Sequence, residues 1–136
     1  MSPKKLEVDE PVAELLNKSL KLDGFFPEFK AAHAVKLFPR SGLFSYPKGA
    51  SILSEGETGR DLYIVQSGAV RVTRGLGAKL ETLATLRAGD IFGEIGLLRD
   101  GRRVASVSAD EDARVYRLAY DDIQYLLKNN PDLGAH

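Results

Sequence analysis

Residues 92–107, FGEIGLLRDGRRVASV, bring together what is needed to build an anion site from bare backbone, one carboxylate and one arginine. Gly93 and Gly96 bracket Glu94 and Ile95 with no Cβ at either end. The main chain can therefore approach a ligand closely and turn into a short helix around Leu97 and Leu98. The first amides of such a helix lack intrahelical partners, point outward and, with the helix dipole, favour a negative group. Arg103, ten residues after Gly93, stands where it can fold back to add a planar fork of donors and a full positive charge. Glu94 is the odd member. A carboxylate beside an anion site repels the anion unless it accepts hydrogen bonds from another group, and sugar hydroxyls next to a phosphate meet that need.

Taken singly, these residues have ordinary explanations. An arginine at the start of a strand usually pairs with a surface carboxylate, and a glutamate in a first helical turn is favoured by the dipole alone. Gly49, Gly59, Gly68 and Gly77 read as β-turn residues. Gly93 and Gly96 differ from them because they bracket a carboxylate and precede an arginine. Catalysis is poorly served by the rest of the chain. Its two histidines are His33 and His136, and it has no cysteine, so the strands can assemble neither a histidine and carboxylate metal cluster nor a nucleophile with its base. Asp110, Glu111 and Asp112 read as a solvated bend. The expectation is a binding domain with no enzyme activity, metal or cofactor.

A chain of 136 residues is the size of one domain with a single adequate core. Nineteen basic and nineteen acidic residues leave no net charge, which argues against a duplex-binding or anionic-membrane surface. Arg99, Arg102 and Arg103 form a local basic patch that suits one phosphate better than a polyanion. The absence of cysteine fits a reducing cytoplasm. No apolar run approaches the roughly 18 residues of a membrane span. The start, MSPKKLEVDEP, lacks the hydrophobic stretch of a signal peptide, so no export or membrane contact is expected of this segment.

The elements that must position the cassette follow from periodicity. Val12, Leu15, Leu16, Leu20 and Leu22 recur at helical spacing and predict a helix over 12–22, ended by Gly24. A second helix is predicted over 27–38, with Ala31, Ala34, Val35 and Phe38 on one stripe before Pro39. From Gly42 onward, short apolar stretches alternate with turn signals, as in an all-β sandwich or barrel. Strands are predicted at 43–46, 50–53, 61–66, around Val70 and Val72, through Leu80, Leu83 and Leu86, and at 103–109 and 113–118. Glu55 to Gly59 reads as a polar turn, and Gly75 and Gly77 as a hairpin tip. A closing helix spans 120–128, with Ile123 and Leu127 four apart and Pro131 beyond it.

The cassette resembles the phosphate-binding cassette of cyclic nucleotide-binding domains, the family of catabolite-activator regulators, kinase regulatory subunits and cyclic-nucleotide-gated channels. The family pattern is Phe-Gly-Glu, a small or apolar pair, Leu-Leu, a short loop, then Arg, small residues and Val. Many members have Pro before the arginine where this chain has Arg102, a departure similar to that of pacemaker channels; spacing to Val107 favours Arg103 over Arg102. The likeness runs from about Phe38 to Leu133. Tyr46, Gly49, Ile52, Glu55, Gly56, Leu62, Tyr63, Ile64, Gly68 and Val70 fit the strand-and-glycine pattern, and Arg87, Gly89 and Asp90 fit the turn before Phe92.

The resemblance implies a mainly β fold with flanking helices. This is a β-roll (double-stranded β-helix, jelly-roll-like) with N-terminal helices, a short cassette helix and a C-terminal helix, dividing the chain into a helical segment, 1–37, and the β-roll with its helix, 38–136. It implies that the ligand-binding residues are Phe92, Gly93, Glu94, Ile95, Gly96, Arg103 and Val104. Gly93, Ile95 and Gly96 would offer backbone to the cyclic phosphate, Glu94 would bind the ribose 2′-hydroxyl and Arg103 would pair with the phosphate. Val70, Val72, Leu80 and Leu83 are the implied purine wall, although alternation alone does not say which of each pair points inward. A threonine after the arginine accompanies cyclic GMP preference in the family; Val104 lacks that hydroxyl, so cyclic AMP is expected to bind more tightly than cyclic GMP. Ser106, two positions on, is expected to satisfy local backbone. The implied function is a cytoplasmic sensor whose partners are the cyclic nucleotide and an unspecified effector, with a homodimer left open and no direct nucleic-acid contact. The alternative is a barrel that has lost its ligand and serves as a docking or dimerisation module. The family's lid helix would begin near Pro131.

Overall fold

The computed structural model of the chain describes residues 3–20, 30–93 and 102–129, without the side chains of 126, 127 and 129. Its strands are β1 (Lys4–Leu6), β2 (Gly42–Tyr46), β3 (Ser51–Leu53), β4 (Leu62–Ser67), β5 (Ala69–Arg74), β6 (Glu81–Arg87), β7 (Ile91–Phe92), β8 (Ser106–Ala109) and β9 (Ala113–Leu118). Its helices are α1 (Glu10–Leu20), α2 (Ala31–Leu37) and α3 (Tyr120–Asn129). One sheet has the order β1-β2-β9-β4-β7 and the other β3-β8-β5-β6, and every pairing is antiparallel. Two antiparallel sheets with helices before and after them make the mainly β fold with flanking helices read from the sequence.

The five-stranded sheet is covered on both faces, and the period of two along its strands divides two cores. On one face Leu43, Ile64, Tyr116 and Leu118 meet Val12, Ala13 and Leu16 of α1 and Ala34 and Phe38 of the α2 region. On the other, Tyr46, Tyr63, Val65, Phe92 and Val115 meet Leu53, Val70, Val107 and Ala109 of the second sheet. This double burial explains why β4 reads as an unbroken apolar run, Leu-Tyr-Ile-Val, rather than as an alternation.

Several boundaries differ from the sequence reading, each for a physical reason. β1 was not foreseen: three residues, Lys-Lys-Leu, carry no periodicity, yet Lys4 pairs with Ser45 and Leu6 with Leu43 along the edge of β2. Residues of the N-terminal segment therefore extend a roll sheet and share its first core. α1 starts earlier than predicted because Asp9 caps it. The Asp9 Oδ1 accepts from the Val12 N–H at 3.1 Å, which leaves Pro11 harmless in the first turn. Within α2, Ala34, Leu37 and Phe38 form the inward stripe; Val35, expected on it, is 58% exposed. Positions 21–29 of the two predicted helices lie outside the described residues.

The strand predicted over 103–109 begins only at Ser106. The backbone of Arg103 is bound to the loop before β4 instead. Its N–H donates to the Glu57 carbonyl and its own carbonyl accepts from the Gly56 N–H, both at 2.8 Å. The turn and the cassette arginine are thus stitched together before any side chain is considered.

Candidate functional site

Arg103 is the only arginine counted among the buried polar residues of the described chain, at 6% exposure, while neighbouring Arg102 is exposed. Its Nη1 donates to the Gly93 carbonyl at 2.8 Å and its Nη2 to the Asp61 carbonyl at 3.1 Å. The guanidinium carbon lies 5.9 Å from the centroid of the Tyr63 ring, which stacks on Phe92 at 5.0 Å and 8°. A short β4–β7 ladder, pairing Tyr63 with Phe92, fixes that stack. Phe92 is thereby a strut beneath the site, buried in the second core.

Two glycines give the guanidinium room. Gly93 has φ +91, and a Cβ there would stand 2.7 Å from the Asp61 carbonyl oxygen and 3.1 Å from Nη1 of Arg103. Gly59, read from the sequence as a turn residue, is instead a packing glycine: a Cβ would come within 3.0 Å of Nη2. Gly59, Asp61 and Tyr63 were not foreseen as site residues. Their signal was faint, since only the tertiary fold carries the segment after the 55–59 turn against position 103.

Among the described residues no carboxylate pairs with Arg103; the ion pairs there join Arg40 with Asp121, Arg71 with Asp110, and Arg117 with Asp61. Two carbonyl contacts account for two of the five N–H donors of a guanidinium. A buried cation so placed calls for an anion. Beneath it, burial and then the Asp61 carboxylate push the Tyr63 hydroxyl above its ordinary value, partly opposed by Arg117 and Arg103.

The other predicted residues are distributed as follows. Glu94, Ile95 and Gly96, with the helix expected around Leu97 and Leu98, lie outside the described residues. Val104 is half-buried beside Arg103. Val70 is fully buried in the second core and Val72 packs half-buried against it, whereas Leu80 and Leu83 are 56% and 43% exposed. The four thus grade from core to open surface across the β5–β6 hairpin. The Ser106 Oγ accepts from the Glu55 N–H at 2.9 Å, the local backbone role expected of it.

The C-terminal helix is anchored next to the site. The Asp61 Oδ1 accepts from the Tyr120 N–H at 2.9 Å while its Oδ2 meets Nε of Arg117 at 2.8 Å. Arg60 stacks over the Tyr120 ring at 5.4 Å. A second clamp lies two residues further on. Buried Asp122 accepts from the Ser41 hydroxyl at 2.6 Å and the Arg40 N–H at 3.0 Å, and the Ser41 oxygen accepts from the Ala119 N–H at 2.8 Å.

A β-roll whose buried arginine donates to the Gly93 carbonyl and pairs with no carboxylate among the described residues defines a class. The model of the cyclic nucleotide-binding domain matches residues 43–130, and the chain belongs to that family. It is 44% identical over 92 residues to the cyclic AMP receptor protein of Thermus thermophilus, covering 67% of this chain and 42% of that protein. It is 40% identical over 111 residues to a cAMP-dependent protein kinase regulatory subunit of Yarrowia lipolytica, covering 77% and 29%. A crystal structure of a cyclic nucleotide-binding domain from Methylobacillus flagellatus superposes with TM-score 0.77 at 25% identity over 98% of this chain and 75% of that one. The chain spans less than half the length of these two curated relatives. Within the family this domain is a regulatory sensor. Among the described residues, no helix is long and apolar enough to cross a membrane.

Proposed function

We propose that this domain binds cyclic AMP in preference to cyclic GMP and transmits its occupancy to the flanking helices. The observation that carries the reading is Arg103: a buried cation without a carboxylate partner among the described residues, aimed at the glycine loop through the Gly93 carbonyl. A cyclic phosphate supplies a negative charge shared by two exocyclic oxygens, which the planar guanidinium fork can engage with a pair of N–H donors. The amides of Gly93, Ile95 and Gly96 complete the phosphate cradle, and Glu94 accepts from the ribose 2′-hydroxyl. The exposed aliphatic surfaces of Leu80 and Leu83, with half-buried Val72 and the Val70 floor, offer apolar contact for a purine.

Val104 supports the choice of base, because no hydroxyl follows the arginine to meet the guanine amino group. An unmet polar group in a closed pocket costs about 1 to 3 kcal/mol. The names of the Thermus and Yarrowia relatives point to the same nucleotide. We place the protein in the cytoplasm, acting without catalysis of its own on an effector domain or partner protein, with a homodimer compatible with that role.

The test is calorimetric titration with cyclic AMP and cyclic GMP of the parent and of Arg103→Ala. Saturable heat in the parent, tighter for cyclic AMP and lost in the variant, is expected. No heat in either protein would replace the sensor with a docking module, and cyclic GMP binding equally or more tightly would overturn the Val104 argument.

A further inference from the structure

We infer that Asp61 is the mechanical link between the phosphate arginine and the C-terminal helix, a positioning residue that reports the state of Arg103 to α3. Its two polar ends face opposite tasks. The main-chain carbonyl accepts from Nη2 of Arg103 at 3.1 Å. The carboxylate of the same residue accepts from the Tyr120 N–H, the first residue of α3, at 2.9 Å and pairs with Arg117 at 2.8 Å. Among the described hydrogen bonds, ion pairs and ring contacts, none joins Arg103 to α3 directly, and Asp61 touches both.

The geometry makes that residue hard to bypass. Asp61 immediately precedes β4, whose first residue, Leu62, is held in register opposite Leu118 at the end of β9, two residues before α3. On its other side Arg60 stacks over Tyr120. The carbonyl and the carboxylate hang on one Cα, so a displacement of the 60–61–62 backbone ahead of the fixed β4 strand shifts both attachments at once. When an anion draws the guanidinium toward itself, the hold on the Asp61 carbonyl changes and the carboxylate shifts against the Tyr120 N–H. A carboxylate at a helix N-terminus also complements the dipole, so α3 responds to its displacement. Asp122, the second clamp, contacts Ser41 and Arg40 rather than the arginine and holds α3 in either state.

The inference rests on the sensor reading for its purpose but not for its test, which uses amide hydrogen exchange of the full chain followed by NMR. In the ligand-free protein, Asp61→Asn and Arg103→Ala are each expected to speed exchange at Tyr120 at least tenfold. The Val65 and Val115 amides, deep in the second core, serve as the folding control. Arg103→Lys, which keeps the charge and loses the fork, guards against a misfolded alanine variant and is expected to give a smaller acceleration in the same direction. In the parent, cyclic AMP is expected to change Tyr120 exchange, and in Asp61→Asn that ligand response should be lost. Acceleration by Asp61→Asn with none from either arginine variant would reduce Asp61 to a simple helix cap and overturn the link. Loss of cyclic AMP heat in the parent with the Arg103 effect on Tyr120 intact would sink the sensor reading and leave the link standing.

Discussion

The guanidinium of Arg103 rests against the ring of Tyr63, 5.9 Å from its centroid, and that ring is held by its stack on Phe92. The cation is thereby oriented by an aromatic face on a two-strand ladder, and among the described residues no carboxylate pairs with it. A cation over a ring contributes about 0.5 to 2 kcal/mol depending on desolvation. Tyr63→Leu, which removes the face while keeping apolar bulk, is expected to weaken cyclic AMP binding by about threefold to thirtyfold by titration. Tyr63→Phe keeps the face and is expected to remain within about threefold of the parent.

A buried cation that pairs with no carboxylate among the described residues is costly to hold. Arg103→Met fills similar volume with apolar atoms, and replacing buried charge in this way is often neutral or stabilising by roughly 1 to 4 kcal/mol. Urea denaturation of the ligand-free variant is therefore expected to show stability at least equal to the parent's, with cyclic AMP no longer raising it. A loss of more than about 2 kcal/mol would mean the arginine is structural.

Gly93 and Gly59 both crowd the arginine but should fail differently when substituted. Gly93→Ala places a side chain at φ +91 and 2.7 Å from a backbone oxygen, where nothing can yield cheaply. It is expected to cost about 1 to 3 kcal/mol of stability as well as binding. Gly59→Ala meets the far end of a flexible side chain, so the guanidinium is displaced and the fold is not. Stability is expected to change by less than about 1 kcal/mol while cyclic AMP affinity falls roughly tenfold.

Much of this was legible from the chain, and the reasons are local. The strands of the roll announce themselves by β-branched runs cut by Gly and polar turns, and the 113–118 strand was bounded correctly because the acidic run 110–112 precedes it and a helical pattern begins at Tyr120. Arg103 was legible because its glycines and spacing are contiguous. Asp61 was not: an Asp ahead of Leu-Tyr-Ile-Val reads as the first residue of a strand until the fold brings Arg103, Arg117 and Tyr120 around it. β1 was hidden for the opposite reason, since three residues are too few to show a period and an edge pairing needs only backbone. Val35 was misplaced because Ala34 and Phe38, four apart, set the face of α2 and turn it outward.

Alkaline conditions should expose the buried tyrosines. Burial, then the neighbouring Tyr63, pushes the Tyr46 hydroxyl up to about 12. Burial, then Asp122, raises Tyr116 further, against the Ser41 hydrogen bond, and Tyr63 is raised as well. Above pH 10 the unfolded chain ionises these groups and the folded chain does not, so stability is intact below pH 10 and falls as pH rises toward 12 and beyond. Each group contributes up to about 1.4 kcal/mol per pH unit across that window. Denaturant melts at stepped pH, with tyrosinate absorbance followed in parallel, should show ionisation of these residues coinciding with unfolding.

Val104→Thr restores the hydroxyl that accompanies cyclic GMP preference in the family. Relative affinity for cyclic GMP over cyclic AMP is expected to rise by about fivefold or more, with stability nearly unchanged at this half-buried position. Competition between the two nucleotides on parent and variant checks it.

A thermodynamic cycle isolates the proposed contact between Arg103 and the cyclic phosphate: cyclic AMP and adenosine, each titrated calorimetrically into the parent and into Arg103→Ala. The parent should favour cyclic AMP over adenosine by a hundredfold or more, and the variant should retain less than about tenfold of that preference. An unchanged preference in the variant would contradict the account, because the phosphate would then be held without the arginine.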